Sequence, residues 1–337
     1  MNVLVTGGTG FLGKFVVQGL VKDPKIKNIY VTSRKRVSFP HKHVHNLRVD
    51  LSKPIPEDLI DIESIDTVIH LAGEYDFEGT YERSYMGNVL ATSNLLDFIT
   101  NAKRDINFLY ASTYAILPYG ATEEITEMPL SQSPKRQNHY AYTKAIAENL
   151  VLNSGLNGVC FRIGILVGDS QEGLISKING PYYFLRMAER LNKIPFFSKS
   201  IFFTLPGEPT AKVPVLAVDE AAAPFVQAAS RKFDEMNICG LFNKNSTTVE
   251  VIAKTIFKVY LPTAKLFYFK YVPKTILEKQ ELITGVPADS IDYLSAIESL
   301  SNQRFLELFP DLEPTHFLEL KKTLFHGYQK YNEGIVT

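Results

Sequence analysis

Short apolar runs alternate with amphipathic stretches along the first half of the chain. Val3-Leu4-Val5 is an apolar run that ends in glycines, the pattern of a buried strand. Phe11, Leu12, Phe15, Val16, Leu20 and Val21 then recur at helical spacing, and Asp23-Pro24 stops that helix. Further strands are expected at Ile29-Tyr30-Val31, Leu47-Arg48-Val49, Thr67-Val68-Ile69, Phe108-Leu109-Tyr110 and Val159-Cys160-Phe161. Helical periodicity fills the intervals at 84–100 and 140–152. The alternation predicts an α/β fold, a doubly wound parallel sheet with helices on both faces.

After Gly168 the pattern loosens. Aromatics, prolines and glycines crowd together in GPYYFL and PGEPTAKVPVL, and Val213 to Ala229 returns to a strand-then-helix pattern. The remainder reads as mostly helical, with an aromatic-basic patch at KLFYFKYVP. This predicts a cofactor-binding domain over 1–168 and a smaller, mostly helical substrate region over 169–337. The segment 211–230 is a candidate to pack back onto the first domain.

Composition narrows the function. The 337 residues are 45% hydrophobic, enough for a buried core, and 36 basic residues balance 36 acidic ones. Nothing in that balance points to nucleic acid or an anionic surface as the main partner. Cys160 and Cys239 stand far apart with no CxxC, which argues against a disulfide scaffold or a cysteine zinc site. No apolar run reaches the about 18 residues of a membrane span. No secretory leader precedes the first strand, so the expectation is a soluble, cytoplasmic protein.

The stretch GGTGFLGK carries glycines at Gly7, Gly10 and Gly13. Gly8, Gly13 and Lys14 nearly spell a nucleoside-triphosphate loop, but Phe15 stands where that loop needs a Ser or Thr for a metal ion. A dinucleotide loop fits the context of a strand before and a helix after. Gly7 would make the tight turn, Gly10 would admit the pyrophosphate, and Gly13 would let helix and strand pack closely. The helix start at Phe11 and Leu12 would present free N–H groups to the phosphates. At the end of the second strand an NAD-preferring site would carry Asp or Glu. Here the run is Thr32-Ser33-Arg34-Lys35-Arg36, with no carboxylate. Ser33 and Arg34 would suit a 2′-phosphate, so NADP is expected over NAD. Asp50, followed by Leu51, would accept from the adenine amino group. His41, His43 and His45 resemble a metal cluster by count, but no acid or cysteine adjoins them, and a surface loop is the preferred reading; no metal is expected.

Tyr140 and Lys144 in NHYAYTKAIAENL are four apart, one turn of a helix and on one face. The ammonium would lower the phenol pKa and hold the nicotinamide ribose, and the phenol would act as acid or base toward a carbonyl. Tyr142 lies on another face and is expected to pack. With the glycine loop upstream, the chain resembles an extended short-chain dehydrogenase/reductase, of the NAD-dependent epimerase/dehydratase-like superfamily. The TGxxGxxG loop runs Thr6 to Gly13. Asp50 follows the third strand. His70-Leu71-Ala72-Gly73 matches the HLA motif that lines the cofactor, and Asn88 matches the asparagine of the next helix. Tyr140 and Lys144 match YxxxK, Arg162 an Arg-led strand end, and Val213 to Glu220 the xVxVDE segment. Together these cover about two-thirds of the chain in the family's order. The resemblance implies a Rossmann-type fold, an oxidoreductase activity and a homodimer. Aligning NFLYASTYAI puts Thr113 at the hydroxyl position, with Ser112 as the fallback. Thr113 would orient the carbonyl, Tyr140 would donate the proton and Lys144 would position the ribose.

Departures from the family narrow the substrate. Tyr114-Ala115 follow Thr113 where sugar dehydratases carry Asp-Glu, and Arg162-Ile163-Gly164-Ile165 lacks the asparagine of nucleotide-sugar epimerases. The stretch LVGDSQEGLISKINGPYYFLRMAERL resembles the fatty acyl and thioester reductase branch. Tyr182, Tyr183, Phe184, Phe196, Phe197, Phe202 and Phe203 would line an apolar tunnel, or fill an ordinary core. The favoured reading is an NADP-dependent carbonyl or acyl-thioester reductase acting on a small-molecule substrate. A nucleotide-sugar epimerase, favoured if Lys177, Arg186, Arg190 and Lys193 form a basic cluster, and a non-catalytic NADP-binding sensor are the alternatives.

Overall fold

A computed structural model of the chain describes residues 1–75, 79–118, 123–130, 138–199, 201–269, 272–288 and 299–336. The first half runs β1 (Asn2–Thr6), α1 (Phe11–Lys22), β2 (Asn28–Ser33), β3 (Val44–Arg48), β4 (Thr67–His70), α2 (Tyr81–Ser84), α3 (Ala91–Thr100), β5 (Asn107–Thr113), α4 (His139–Leu152), β6 (Gly158–Ile163) and β7 (Ile165–Val167). A π-helical turn, Tyr85–Leu90, joins α2 to α3. The second half runs α5 (Pro181–Lys193), α6 (Pro195–Ser198), β8 (Phe202–Pro206), β9 (Lys212–Val213), β10 (Val215–Ala217), α7 (Val218–Ala229), β11 (Met236–Leu241), β12 (Thr247–Thr248), α8 (Val249–Tyr260), β13 (Lys265–Phe269), α9 (Lys274–Thr284), α10 (Gln303–Leu308) and α11 (Lys321–Asn332).

Seven strands form one parallel sheet in the order β11-β6-β5-β4-β1-β2-β3. It is the expected Rossmann-type α/β fold. Side chains alternate between two cores, as strand geometry requires. Val3, Val5, Ile69, Leu109, Val159 and Phe161 pack toward α1, α7 and α10. Leu4, Val68, Phe108, Tyr110 and Cys160 pack toward α3 and α4. The strand order reverses between β1 and β4, so a crevice opens beyond their carboxyl ends, where ligands bind in such sheets.

Three elements differ from the sequence reading. The third strand is Val44–Arg48, not Leu47 to Val49, because register against β2 sets it (Ile29 opposite Val44, Ser33 opposite Arg48). His45 therefore lies in the edge strand, stacked on Tyr30 at 5.2 Å, while His41 and His43 precede it. Among the described residues, no three His, Cys, Asp or Glu side chains are grouped to hold a metal ion. The tail also supplies strands: β11 joins the main sheet beside β6, and β13 pairs with β8. The segment MNICGL is short and mixed in polarity, so periodicity did not mark it. Lys270 and Tyr271 of the aromatic-basic patch lie outside the described residues.

Helix α7 lies on the main sheet, with Ala221, Ala222, Phe225 and Ala228 in the first core. A separate core gathers α5, α8, β8, β13 and α11. Ser170 ties the two parts together by donating from its N–H (2.9 Å) and Oγ (2.6 Å) to Asp219 at the start of α7. Among the described residues no helix is long and apolar enough to cross a membrane.

Candidate active site

The glycine turn closes as its spacing implies. Gly7 has φ +69°, the left-handed region that glycine enters freely, and a Cβ there would meet Ala72 N at 2.6 Å. A Cβ on Gly13 would meet Gly7 O at 2.1 Å, so this glycine lets α1 sit against the turn. A Cβ on Gly10 would meet only Gly7 O, at 3.2 Å. Space is open there, and α1 begins at Phe11 with no side-chain cap on its N–H groups. An uncapped helix start beside open space is the cradle a pyrophosphate requires.

Thr6 and Ala72 support that cradle from behind. Thr6 is buried, and its Oγ1 accepts from Ala72 N (3.2 Å) and pairs with His70 Nδ1 (2.6 Å). His70 Nε2 pairs with Thr92 Oγ1 at 3.0 Å. Burial lowers His70 to about 3, so the ring is neutral and joins β1 to α3. Asn88, on the π-helical turn, accepts from Glu74 N (2.8 Å) and donates to Glu74 O (3.2 Å) and Thr143 Oγ1 (3.0 Å). Its amide thus clamps the loop after β4 to α4, while Asn88 also borders the cavity.

Ser33, the last residue of β2, and Arg34, Asp50 and Leu51, which follow the ends of β2 and β3, lie farther out. Arg34 is exposed. Ser33 Oγ accepts from Asn46 Nδ2 at 2.6 Å. A hydrogen bond from Ser52 Oγ (2.8 Å) is the strongest influence on Asp50, and it holds the carboxyl below its ordinary range; Arg34 adds a weaker pull. Leu51 is buried, and its carbonyl accepts from Asn94 Nδ2 at 2.8 Å. These four do not border the main cavity, whereas Gly7, Gly10, Phe11, Leu12, Gly13, Leu71 and Gly73 do.

Thr113, Tyr140 and Lys144 meet on the wall of that same cavity, whose volume is about 590 Å³. Asn138 caps α4 by accepting from Ala141 N (2.9 Å), which sets where the helix starts and so where Tyr140 points. Burial pushes the Tyr140 phenol up to about 12, against a hydrogen bond with the Thr113 side chain that pulls the other way. The expected lowering by Lys144 does not occur: burial raises the phenol, and the opposing pull comes from Thr113. Lys144 Nζ is turned to the strand instead, donating to Tyr110 Oη (2.8 Å) and Ala111 O (2.6 Å). Burial lowers Lys144 to about 8, against the attraction of Cys160 and Glu148. Ser112 donates to Glu148 and Thr113 turns to Tyr140, so alternation along β5 separates the two hydroxyls.

The residues the sequence reading missed are partners of those it named. Glu148 continues the stripe of Tyr140 and Lys144 one turn on, and forms a buried ion pair with Arg162 at 2.6 Å. Arg162 also donates to Ile125 O and Thr126 O, both at 3.0 Å. Two charges on an otherwise apolar helix stripe were the available signal. Tyr75 stands edge-on to Tyr140 at 5.1 Å, and Lys177 lies 4.1 Å over the Tyr75 ring.

Beyond Tyr140 the cavity is mostly apolar, walled by Phe184, Met187, Leu191, Phe203, Leu205 and Ile252, with Leu277 and Ile283 from α9. Of the aromatics expected there, Tyr183, Phe184, Phe202 and Phe203 line it. Tyr182 is core, its Oη accepting from Gly168 N at 3.0 Å, and Phe196 is exposed. The side chain of Phe197 lies outside the described part. Of the four cations weighed for a basic cluster, Lys177 borders the cavity; Arg186 reaches toward Gly285 O, Lys193 pairs with Glu189 and Arg190 is exposed.

Residues 5–42 and 43–219 match a family model of NAD-binding domains described as male sterility protein. A fatty acyl-CoA reductase 1 from Gallus gallus is 28% identical over 241 aligned residues, covering 53% of this chain and 46% of that protein. A 2-alkyl-3-oxoalkanoate reductase from Stenotrophomonas maltophilia (strain K279a) is 28% identical over 187 residues, covering 53% of this chain and 54% of its own length. The chain thus spans about half the length of the curated relatives it matches. Among solved structures, the terminal R domain from the myxalamid PKS-NRPS biosynthetic pathway aligns with a TM-score of 0.76 at 18% identity. That alignment covers 99% of this chain and 91% of that one.

Proposed function

The chain belongs to the male sterility protein family, in the thioester reductase-like branch of the extended short-chain dehydrogenase/reductases, and from that premise we propose that it reduces a carbonyl or acyl-thioester substrate with NADPH. One observation carries the reading. A single cavity joins the glycine turn, the Thr113–Tyr140–Lys144 cluster and an apolar chamber. The residues present fit a nicotinamide dinucleotide. The uncapped start of α1 and the open space at Gly10 would take the pyrophosphate, and Ser33 and Arg34 the 2′-phosphate. The cofactor supplies hydride when bound.

The side chains divide the remaining work. Thr113 orients the substrate oxygen. Tyr140 keeps its proton across the neutral range because burial holds it at about 12, which suits an acid that protonates the developing alkoxide. Lys144 is anchored on β5 by its ammonium, at the cavity wall where the nicotinamide ribose would lie. The apolar walls exclude water and favour an alkyl-bearing substrate, in keeping with the names of both curated relatives. A diphosphate sugar would want several cations there, and Lys177 is the one from the expected cluster that borders the chamber.

The test follows NADPH oxidation with acyl-CoAs, aldehydes and UDP-sugars, beside Tyr140→Phe. Turnover is expected with an acyl-CoA or aldehyde and to fall about 10²-fold or more in the variant. Equal turnover by Tyr140→Phe would remove the phenol from the reaction.

A further inference from the structure

Two segments of this electrically balanced chain carry one-sided charge. Residues 190–207 and 251–277 hold eight lysines and arginines and no aspartate or glutamate. They meet in space, because β8 and β13 pair from Phe202 opposite Lys265 to Pro206 opposite Phe269. A ribbon packed on one side is expected to turn polar residues outward. Its inner face is apolar, with Phe203, Leu205, Leu266 and Tyr268 against the second core. Its outer face is aromatic too: Phe202, Phe267 and Phe269 are 56%, 52% and 55% exposed. Just before the ribbon Phe196 is 77% exposed, and on α9 Leu282 is 83% and Ile283 47% exposed. Phe202 and Ile283 are also part of the cavity wall, so apolar surface runs unbroken from solvent into the cavity. Lys199 is exposed just before the ribbon, and exposed Lys265 holds its Nζ 5.9 Å from the Phe202 ring centre, while Lys193 and Lys254 pair with Glu189 and Glu250.

We propose that this face docks on an anionic lipid bilayer. Phe196, Phe267, Phe269 and Leu282 enter the boundary between headgroups and acyl chains. Lys199 and Lys265 meet the negative surface, and the cavity mouth opens onto the lipid. Protruding Phe and Leu side chains fringed by lysine are the composition of an interfacial membrane face. Protein–protein interfaces are depleted in lysine, and two copies of so basic a face would repel each other. The inference does not depend on which reaction the cavity performs.

The test is co-sedimentation of the full chain with phosphatidylcholine vesicles, with and without phosphatidylserine. Two lysines near an anionic surface should raise partitioning roughly thirtyfold over the neutral vesicles, and added salt should remove that gain. The variant Phe196→Ser/Phe267→Ser/Phe269→Ser alters exposed positions outside the cavity wall. It should keep its circular dichroism spectrum and melting temperature while losing vesicle binding about tenfold or more. Lys199→Gln/Lys265→Gln should bind both vesicle types alike. The proposal is overturned if the wild-type chain stays in the supernatant with phosphatidylserine vesicles, or if the phenylalanine variant binds undiminished. It is equally overturned if the wild-type chain is a dimer that this variant dissociates, since a second copy would then cover the face.

Discussion

Lys144 Nζ stands 2.8 Å from Tyr110 Oη, so the cation of the candidate site is fastened to the sheet and not to its neighbour on the helix. Tyr110 is fully buried, and burial raises its phenol well above the ordinary value, so it accepts this hydrogen bond as a neutral group. Tyr110→Phe leaves Ala111 O as the remaining acceptor. A lost hydrogen bond to an ammonium is worth about 1.5 kcal/mol or more, so kcat/KM should fall by about tenfold. The ammonium also loses a stabilising partner, so an alkaline limb set by Lys144 should move to lower pH. An unmoved profile would show that Tyr110 only fills space.

Lys144 links stability to pH with a definite sign. Its folded value is about 8 against an ordinary 10.5, so between these the unfolded chain binds more protons. Unfolding free energy should then rise with pH through that window, and the penalty of burying the ammonium is fully present below about 8. At 1.36 kcal/mol per pH unit the gain is about 3 kcal/mol. Denaturant melts of the wild type against Lys144→Met, compared across the window, isolate this group. Parallel curves would refute it.

Glu148 and Arg162 test a buried pair. Glu148→Gln leaves the Arg162 guanidinium in the core without its counter-charge, and should cost about 3–5 kcal/mol. Glu148→Gln/Arg162→Met removes both charges and should recover much of that loss, since the pair's attraction mainly offsets its own desolvation. Thermal melts of the four proteins of this cycle measure the coupling; additive losses would contradict it.

The two turn glycines should fail differently. Gly13→Ala drives a methyl to 2.1 Å from Gly7 O, so the fold loosens and the melting temperature drops. Gly10→Ala meets one atom at 3.2 Å, so the fold should hold while dinucleotide binding weakens. Melting temperature and cofactor titration of each variant separate the two effects.

Arg34→Asp should reverse cofactor preference. It removes the guanidinium that would face a 2′-phosphate and installs the carboxylate that would accept from a 2′-hydroxyl. The ratio of NADPH to NADH affinity should drop by about tenfold or more. An unchanged ratio would leave Arg34 outside the site.

Much of this was legible because the relevant spacings are local. A three-residue glycine period after an apolar run specifies a turn between strand and helix, and the observed φ of Gly7 is what that turn demands. Tyr140 and Lys144 share a helix face because one turn separates them. The missed strand β11 and the shifted β3 belong to a different kind of information. Each is held by a neighbour strand far away in sequence, and a short mixed segment gives no periodic sign of it.

The sequence by itself determined the alternating fold, the glycine turn and the Tyr140–Lys144 stripe, since backbone sterics and helical pitch act over a few residues. The tertiary structure alone decided that Lys144 reaches Tyr110, that Glu148 pairs with Arg162, and that Thr113 rather than Ser112 faces Tyr140. It also decided that α9 forms part of the chamber wall and that Phe267 and Phe269 face outward. Those outcomes depend on which side of a strand meets which helix, and on how deeply burial changes a charge. Distance along the chain carries neither quantity.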